Sequence, residues 1–143
     1  MSTNFTPPSA PQLVPYVFFY GRCEEALAFY KKVLGGSYEV MKVGDSPMRD
    51  QMPSESHDSV MHATFTAPGF SFMAADGREK KTIDPDAGNI SLSLTLPTPE
   101  EGERIYKALA EGGNAKMPFA DVPWGGKFGA LDDRFGNEWF ITG

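Results

Sequence analysis

His62 and Glu138 have the side chains and positions in this sequence that best suit acid–base chemistry. An imidazole titrates near neutral pH, so His62 is a candidate general base or a group that orients a carbonyl. A two-residue turn at Ala67-Pro68 predicts that His62 lies directly opposite Met73 and shares its face. Because no carboxylate stands beside His62 in the sequence, the pattern favours a half-buried histidine with no catalytic role.

Glu138 and Trp124 are candidates for the rim of a binding pocket. Glu138 shares a strand face with Phe140, and the turn DRFG predicts that Phe140 pairs with Gly129. A lone carboxylate at a strand start is more typical of a solvated residue. Trp124 precedes two glycines in a loop, where it suits a pocket or lid as well as the surface.

The segment 44–58 is long, polar and rich in proline. Such a segment is typical of a functional lid or of a solvated loop, and both interpretations stay open. Arg49 and His57 are its candidate groups for contact with an anion.

Composition and charge exclude several classes of function. The only cysteine, Cys23, cannot form an internal disulfide, and no Cys/His spacing indicates zinc, so we interpret it as a packing residue. A formal charge of −6 opposes binding to nucleic acid and to anionic membranes. The sequence shows no spanning run and no signal peptide, so we expect a cytoplasmic location.

The elements that must position these residues follow the same order twice. In the first half, an apolar run at 13–20 predicts a strand buried on both faces, and helical spacing predicts a helix over 23–34. Strands are then predicted at 37–43, 59–66 and 70–75.

The second half repeats strand, helix and three strands. Alternation at 89–96 predicts a strand with a buried face of Ile90, Leu92, Leu94 and Leu96. Thr98 and Pro99 predict a helix start, with the helix ending at Gly112-Gly113. An extended stretch at 116–119 and strands at 127–132 and 137–142 complete the repeat.

This repeat predicts an α+β fold of paired βαβββ modules that form two curved mixed sheets around a central cavity. We expect a flexible tail over 1–12, a first module over 13–76, a linker over 77–88 and a second module over 89–143. Since each helix covers one face of its sheet, the pocket is expected between the halves.

The segments AFYKKVLGG at 28–36 and DDRFGNEWFI at 132–141 resemble the vicinal oxygen chelate superfamily of glyoxalases and bleomycin-resistance proteins. VPYVFFYG near the start and Trp124 before its glycine pair resemble the PhnB-like branch. That branch often carries the label 3-demethylubiquinone-9 3-methyltransferase, but no glycine-rich methyl-donor motif follows the first strand. The resemblance also implies a homodimer.

The superfamily's enzymes hold a divalent metal on four side chains, and the resemblance carries those positions to Pro15, Met73, Ser91 and Phe140. These residues do not form a ligand set for a divalent ion, and a shift of one residue brings in no strong ligand. We therefore predict neither a metal nor another cofactor.

The sequence favours a PhnB-like, glyoxalase-like protein of undefined activity that binds a small, partly aromatic or apolar molecule without a metal. Beside His62, Trp124 and Glu138, the predicted binding residues are Pro15, Phe19, Met73, Ser91, Ser93 and Phe140. One alternative is a metal-dependent lyase or dioxygenase that recruits His62 and Glu138. The least favoured alternative is the methyltransferase of the label, and the sequence leaves open whether any reaction is catalysed.

Overall fold

Two mixed four-stranded sheets, each with one long helix, make up the described part of the chain. The structure is a computed structural model that describes residues 7–77, 83–84 and 86–143. The chain divides into two units, residues 1–80 and 81–143, and this boundary falls within the predicted linker 77–88. Much of that linker, and half of the predicted tail 1–12, lie outside the described residues.

The first unit contains β1 (Tyr16–Phe18), α1 (Cys23–Leu34), β2 (Ser37–Lys42), β3 (Val60–Ala67) and β4 (Phe70–Ala75). The strand order is β1-β4-β3-β2, with β1 parallel to β4 and the other pairs antiparallel. The predicted helix and the four predicted strands are therefore confirmed as elements. The first strand is shorter than predicted.

The second unit contains β5 (Leu92–Thr95), α2 (Pro99–Ala110), β6 (Asn114–Asp121), β7 (Lys127–Asp132) and β8 (Glu138–Thr142). Its order, β5-β8-β7-β6, repeats that of the first unit, again with one parallel pair. The Thr98 hydroxyl accepts a hydrogen bond from the N–H of Glu101, as its N-cap position predicts. The βαβββ repeat is confirmed.

One face of each sheet packs against its helix and forms the core. In the first unit, Phe65 and Phe72 stack at 5.0 Å between ring centroids, and Phe72 meets Tyr30 of α1 edge-on at 6.0 Å. In the second unit, Leu131 and Ile141 are fully buried. The opposite face of each sheet, which its own helix does not cover, is called the open face below.

Two carboxylates outside the predicted site hold the connections between elements. Asp76 is buried and accepts hydrogen bonds from the N–H groups of Cys23 and Val60, each at 2.8 Å. Asp133 accepts hydrogen bonds from the N–H groups of Phe135 and Asn137 and orders the turn before β8, as the predicted turn role requires.

Neither described α-helix has the length and hydrophobicity that crossing a bilayer requires.

The structure corrects the burial predicted for two strands. Tyr16 and Phe18 of β1 lie on the open face and are 43% and 45% exposed, whereas a strand buried on both faces was predicted. Ile90 precedes β5 and is 84% exposed, so it does not belong to the buried face predicted for 89–96. Tyr16 and Phe18 are exposed because α1 covers the other face of their sheet, and Ile90 is exposed because it lies outside β5.

Both predicted hairpin registers are also wrong. The first turn is Pro68-Gly69, because proline fits the first turn position and Gly69 takes a φ of 91°. Met73 therefore pairs with Thr64 and not with His62, and this shift of two residues keeps all three on one face.

In the second hairpin, residues 133–137 form the loop, so Phe140 pairs with Ala130 and not with Gly129. The hydrogen bonds that Asp133 accepts hold this longer loop. Phe140 still shares its face with Glu138, because both alternate along the same strand.

Candidate functional site

The open face of the first sheet carries the only predicted catalytic candidate. Tyr16 and Phe18 of β1, His62 and Thr64 of β3, and Met73 of β4 share this face by the strand registers. It combines ring surface, a thioether and a few polar atoms. Faces of this composition are suited to small molecules that are largely apolar and have one or two polar groups.

A hydrogen bond joins Tyr16 and His62 across β4. The Tyr16 hydroxyl lies 3.1 Å from Nδ1 of His62, and the two rings are 5.7 Å apart. Within the described part of the chain, Nδ1 is the ring nitrogen with a hydrogen-bond partner, which leaves Nε2 for another group. The sequence alone does not show this pair, because Tyr16 is 46 residues away in the chain.

Burial raises the pKa of the Tyr16 phenol, and the thiol of Cys23 adds a smaller effect in the same direction. The phenol therefore stays protonated at neutral pH. If its proton is donated to Nδ1, then Nε2–H of His62 is a donor for a ligand carbonyl or hydroxyl group.

Three rings form a row along β1 and the residues that follow it. The ring centroids of Tyr16 and Phe18 are 5.2 Å apart, and those of Phe18 and Tyr20 are 6.2 Å apart. Gly77 lets the last two rings lie close to the backbone, since a Cβ there would be 3.3 Å from Tyr20 and 3.4 Å from Phe18. Sheet pairing and a glycine together build this aromatic surface.

Two other residues of this unit, Phe19 and Pro15, were also predicted to bind a ligand. Phe19 is 3% exposed and lies 6.0 Å from the ring of Tyr30, so it packs under α1 and not on the open face. Its neighbour Phe18 takes that place because side chains alternate along a strand. Pro15 precedes β1 and accepts a hydrogen bond from the N–H of Met73 through its carbonyl.

The open face of the second sheet brings together Ser91, Ser93, Glu138 and Phe140. Ser93 is paired with Phe140, and the Ser91 hydroxyl donates a hydrogen bond to Oε1 of Glu138. The ring of Phe140 lies 5.5 Å from that of Phe128. Four predicted site residues are thus neighbours on one surface.

Lys116 binds Glu138 on this face, a contact that the sequence did not suggest. Its ammonium lies 2.8 Å from Oε2 of Glu138 and 2.7 Å from Oδ1 of Asp86. The hydrogen bond from Lys116, and then that from Ser91, lower the pKa of Glu138. Glu138 is therefore a charged, partnered carboxylate and not the lone solvated residue that the pattern favoured.

Asn114 pairs with Asp132 on this face, and Lys116 follows it by two residues, so alternation along β6 directs Lys116 to the same face. A lysine in an exposed strand carries no sequence signal of this role.

Trp124 and the segment 44–58 are placed outside these surfaces. Trp124 is 76% exposed in the turn between β6 and β7. Arg49 donates a hydrogen bond to the carbonyl of Gly44, and Nε2 of His57 lies 3.0 Å from the carbonyl of Arg49. Both predicted anion-contacting groups thus bind the backbone of their own segment.

The resemblance to the superfamily assigns four positions to metal ligands: Pro15, Met73, Ser91 and Phe140. These residues do not fit a divalent ion. Ser91 is the only one of the four with a side-chain oxygen, and its hydroxyl is bonded to Glu138. Met73 and Phe140 offer no hard donor. Among the described residues, no group of three His, Cys, Asp or Glu side chains has the arrangement that a metal requires.

The fold defines the class of protein. Two βαβββ modules with mixed four-stranded sheets are the architecture of the glyoxalase/bleomycin resistance protein/dioxygenase superfamily. A solved member of that superfamily from Sphaerobacter thermophilus DSM 20745 is 25% identical to this chain, with a TM-score of 0.53. The match covers 92% of this chain and 97% of that chain.

The chain belongs to the family described as 3-demethylubiquinone-9 3-methyltransferase, whose model matches residues 11–142. Protein YjdN of Escherichia coli K12 is 30% identical over 91% of this chain and 93% of its own length. Protein PA1353 of Pseudomonas aeruginosa is 37% identical, with a TM-score of 0.80 and coverage of 93% and 97%. The PhnB protein of Bacillus cereus is 30% identical, with a TM-score of 0.70 and coverage of 92% and 98%. The PhnB-like resemblance is confirmed.

Proposed function

We propose that this PhnB-like protein binds a small, partly aromatic molecule without a metal, and that the open face of the first unit supplies the binding surface. The observation that carries the proposal is the Tyr16–His62 pair beside an exposed row of aromatic rings. The rings provide an apolar contact, and His62 provides one directed polar contact. Met73, whose flexible thioether adapts to different shapes, lies next to Tyr16 in the sheet.

The polar contact suits a carbonyl or hydroxyl group on the ligand. Nδ1 of His62 is engaged by Tyr16, so the ligand meets Nε2. A carbonyl oxygen accepts from Nε2–H in one tautomer, and a hydroxyl group donates to Nε2 in the other. An aromatic carbonyl compound of the size of benzamide therefore tests the proposal.

The experiment is an NMR titration of the protein with benzamide, compared with cyclohexanecarboxamide as the non-aromatic control. We expect benzamide to shift backbone resonances of β1, β3 and β4 saturably, and Tyr16→Phe to weaken its binding about fivefold. That loss corresponds to about 1 kcal/mol for one hydrogen-bonded contact. Tyr38→Phe is the matched control, because Tyr38 pairs with Phe65 on the helix-covered face. Equal affinity of the two variants contradicts the proposal.

Two alternatives lead to different measurements. A metal-dependent lyase or dioxygenase that uses His62 and Glu138 requires a divalent ion, so nickel, zinc, manganese or iron would raise the melting temperature. We expect no such shift, because the residues at the metal positions do not suit these ions. A methyltransferase requires binding of a methyl donor, and the turn after β1 has the single glycine Gly21 in place of a glycine-rich loop.

We also propose a cytoplasmic homodimer. Its support is the family resemblance and a single cysteine, which is unusual for a secreted protein that depends on disulfides. Light scattering coupled to gel filtration tests the dimer, and a mass of 15.6 kDa in solution contradicts it.

A further inference from the structure

Tyr20 has a backbone conformation that tyrosine rarely adopts. Its φ is 49°, and in the described part of the chain it is the only residue other than glycine with a positive φ. The N–H of Arg22 donates a hydrogen bond to the carbonyl of Phe19 at 3.1 Å, so Tyr20 and Gly21 are the central residues of a tight turn. Gly21 has a φ of 101°. A turn with positive φ at both central residues is of type I′.

Tyrosine breaks a local rule at the first central position of this turn. Type I′ turns favour asparagine, aspartate or glycine there, because these residues tolerate a left-handed backbone. A bulky aromatic residue at that position is strained. Departures from local rules and backbone strain are concentrated at functional sites, where the surrounding structure holds them. What distinguishes Tyr20 from the residues that the turn prefers is its ring.

Two contacts fix where that ring lies. Its centroid is 6.2 Å from that of Phe18, and the two ring planes are tilted by 30°. Gly77 leaves room for both rings, since a Cβ on it would be 3.3 Å from Tyr20 and 3.4 Å from Phe18. Tyr20 is only half-buried in this position. Its ring is thus held as the third member of the row that begins at Tyr16.

The row limits the length of a ligand that covers it. It begins beside His62, whose ring is 5.7 Å from that of Tyr16. It continues to Phe18 and then to Tyr20. A ligand with its polar group at His62 and one ring on Tyr16 and Phe18 leaves Tyr20 uncovered. A second ring, linked to the first opposite the polar group, extends toward Tyr20 and adds a further aromatic contact.

Building on the proposed function, we infer that Tyr20 determines specificity at this surface, and that the ligand is an aromatic carbonyl or hydroxyl compound with two linked rings. The strained turn holds the Tyr20 ring where the second ring of the ligand lies. The first ring and the polar group stay with Tyr16, Phe18 and His62. The ligand is therefore larger than one ring, and Tyr20 is the residue that selects it.

The test is an NMR titration of the wild type and of Tyr20→Asn with benzamide, which has one ring, and with 4-phenylbenzamide, which has two. Asparagine suits the turn and removes the ring, so this variant separates the ring from the backbone. We expect the wild type to bind 4-phenylbenzamide about tenfold more tightly than benzamide, and this ratio to fall about fivefold in Tyr20→Asn, because one aromatic contact is lost. Tyr20→Phe is expected to restore the ratio, since it restores the ring without the hydroxyl group.

The outcomes separate this role of Tyr20 from the proposed function. An equal ratio in the wild type and in Tyr20→Asn overturns the role, and so does a ratio in Tyr20→Phe as low as that in Tyr20→Asn. If benzamide binds the wild type and the second ring adds no affinity, the role of Tyr20 is wrong and the proposed function stands. If neither amide binds, the proposed function is wrong and the two-ring ligand fails with it.

A measurement on the wild type covers the case in which Tyr20→Asn does not fold. We expect nuclear Overhauser effects between the outer ring of bound 4-phenylbenzamide and the ring protons of Tyr20. Effects from the outer ring to other residues, with none to Tyr20, overturn the assignment.

Discussion

The carboxylate of Asp76 accepts a hydrogen bond from the backbone N–H of Cys23, the first residue of α1, at 2.8 Å. Its other oxygen accepts from the N–H of Val60, the first residue of β3, at 2.8 Å. One side chain after the end of β4 therefore fixes the start of the helix and the start of a central strand. Loss of this carboxylate should loosen the whole first unit.

We expect Asp76→Asn to lower the free energy of unfolding by about 2 kcal/mol, because a charged acceptor of two buried hydrogen bonds becomes an amide with one acceptor oxygen. Urea unfolding followed by circular dichroism measures the change. Asp58→Asn is the control, since Asp58 is exposed in the turn before β3. Equal stability of the two variants would show that Asp76 is not needed as a cap.

The Glu138–Lys116 contact should make stability depend on pH in the acid range. Hydrogen bonds from Lys116 and Ser91 hold the pKa of Glu138 below its ordinary value of 4.5. A lowered folded-state pKa stabilises the fold above the unfolded-state pKa, and this contribution is lost as the pH falls through the folded-state pKa. We therefore expect the difference in unfolding free energy between wild type and Glu138→Gln to be largest at pH 7. It should shrink steadily below the ordinary pKa. Glu55→Gln, at an exposed position, provides the reference, and a difference independent of pH would be inconsistent with this origin.

Cys23 should be unreactive in the folded protein. Its side chain is fully buried, and burial, followed by the charges of Asp76 and Glu24, raises the pKa of the thiol to about 12. At pH 8 we expect iodoacetamide to alkylate it about a hundredfold or more slowly than in urea-unfolded protein, since the thiolate is the reactive form. Mass spectrometry follows the modification. Similar rates in the folded and unfolded protein would contradict the buried position.

The glycine pair after α1 offers a matched test of backbone packing. Gly35 and Gly36 both have positive φ, 77° and 87°, so alanine strains either position by about 1–3 kcal/mol. A Cβ on Gly36 would also lie 2.2 Å from the carbonyl oxygen of Thr66, whereas a Cβ on Gly35 meets nothing within 4 Å. We expect Gly36→Ala to lower the melting temperature clearly more than Gly35→Ala. The reverse order would mean that the contact between this turn and β3 is not tight.

Elements of regular structure could be predicted from the sequence because their signals are local. The helix over Cys23–Leu34 is defined by its apolar spacing and by the glycines that follow it. The cap of α2 at Thr98 depends on residues within one helical turn. Such features need no knowledge of the neighbouring strands.

The site was only partly predictable. His62 and Met73 were assigned correctly to one face, because an error of two residues in register does not change the face. Phe19 was chosen where Phe18 lies, since an apolar run has no alternation that tells one face from the other. Tyr16 was missed for the same reason. Lys116 was missed because its partners Glu138 and Asp86 are 22 and 30 residues away in the chain.

By itself, the sequence determined the βαβββ repeat, the positions of its helices and the lack of suitable ligands at the metal positions. Those properties follow from periodicity and from residue type. Only the tertiary structure decided which polar groups meet: Tyr16 with His62, Asp76 with Cys23, and Lys116 with Glu138. Each pair joins residues far apart in the chain, and their contact depends on strand order and register, which local patterns do not encode.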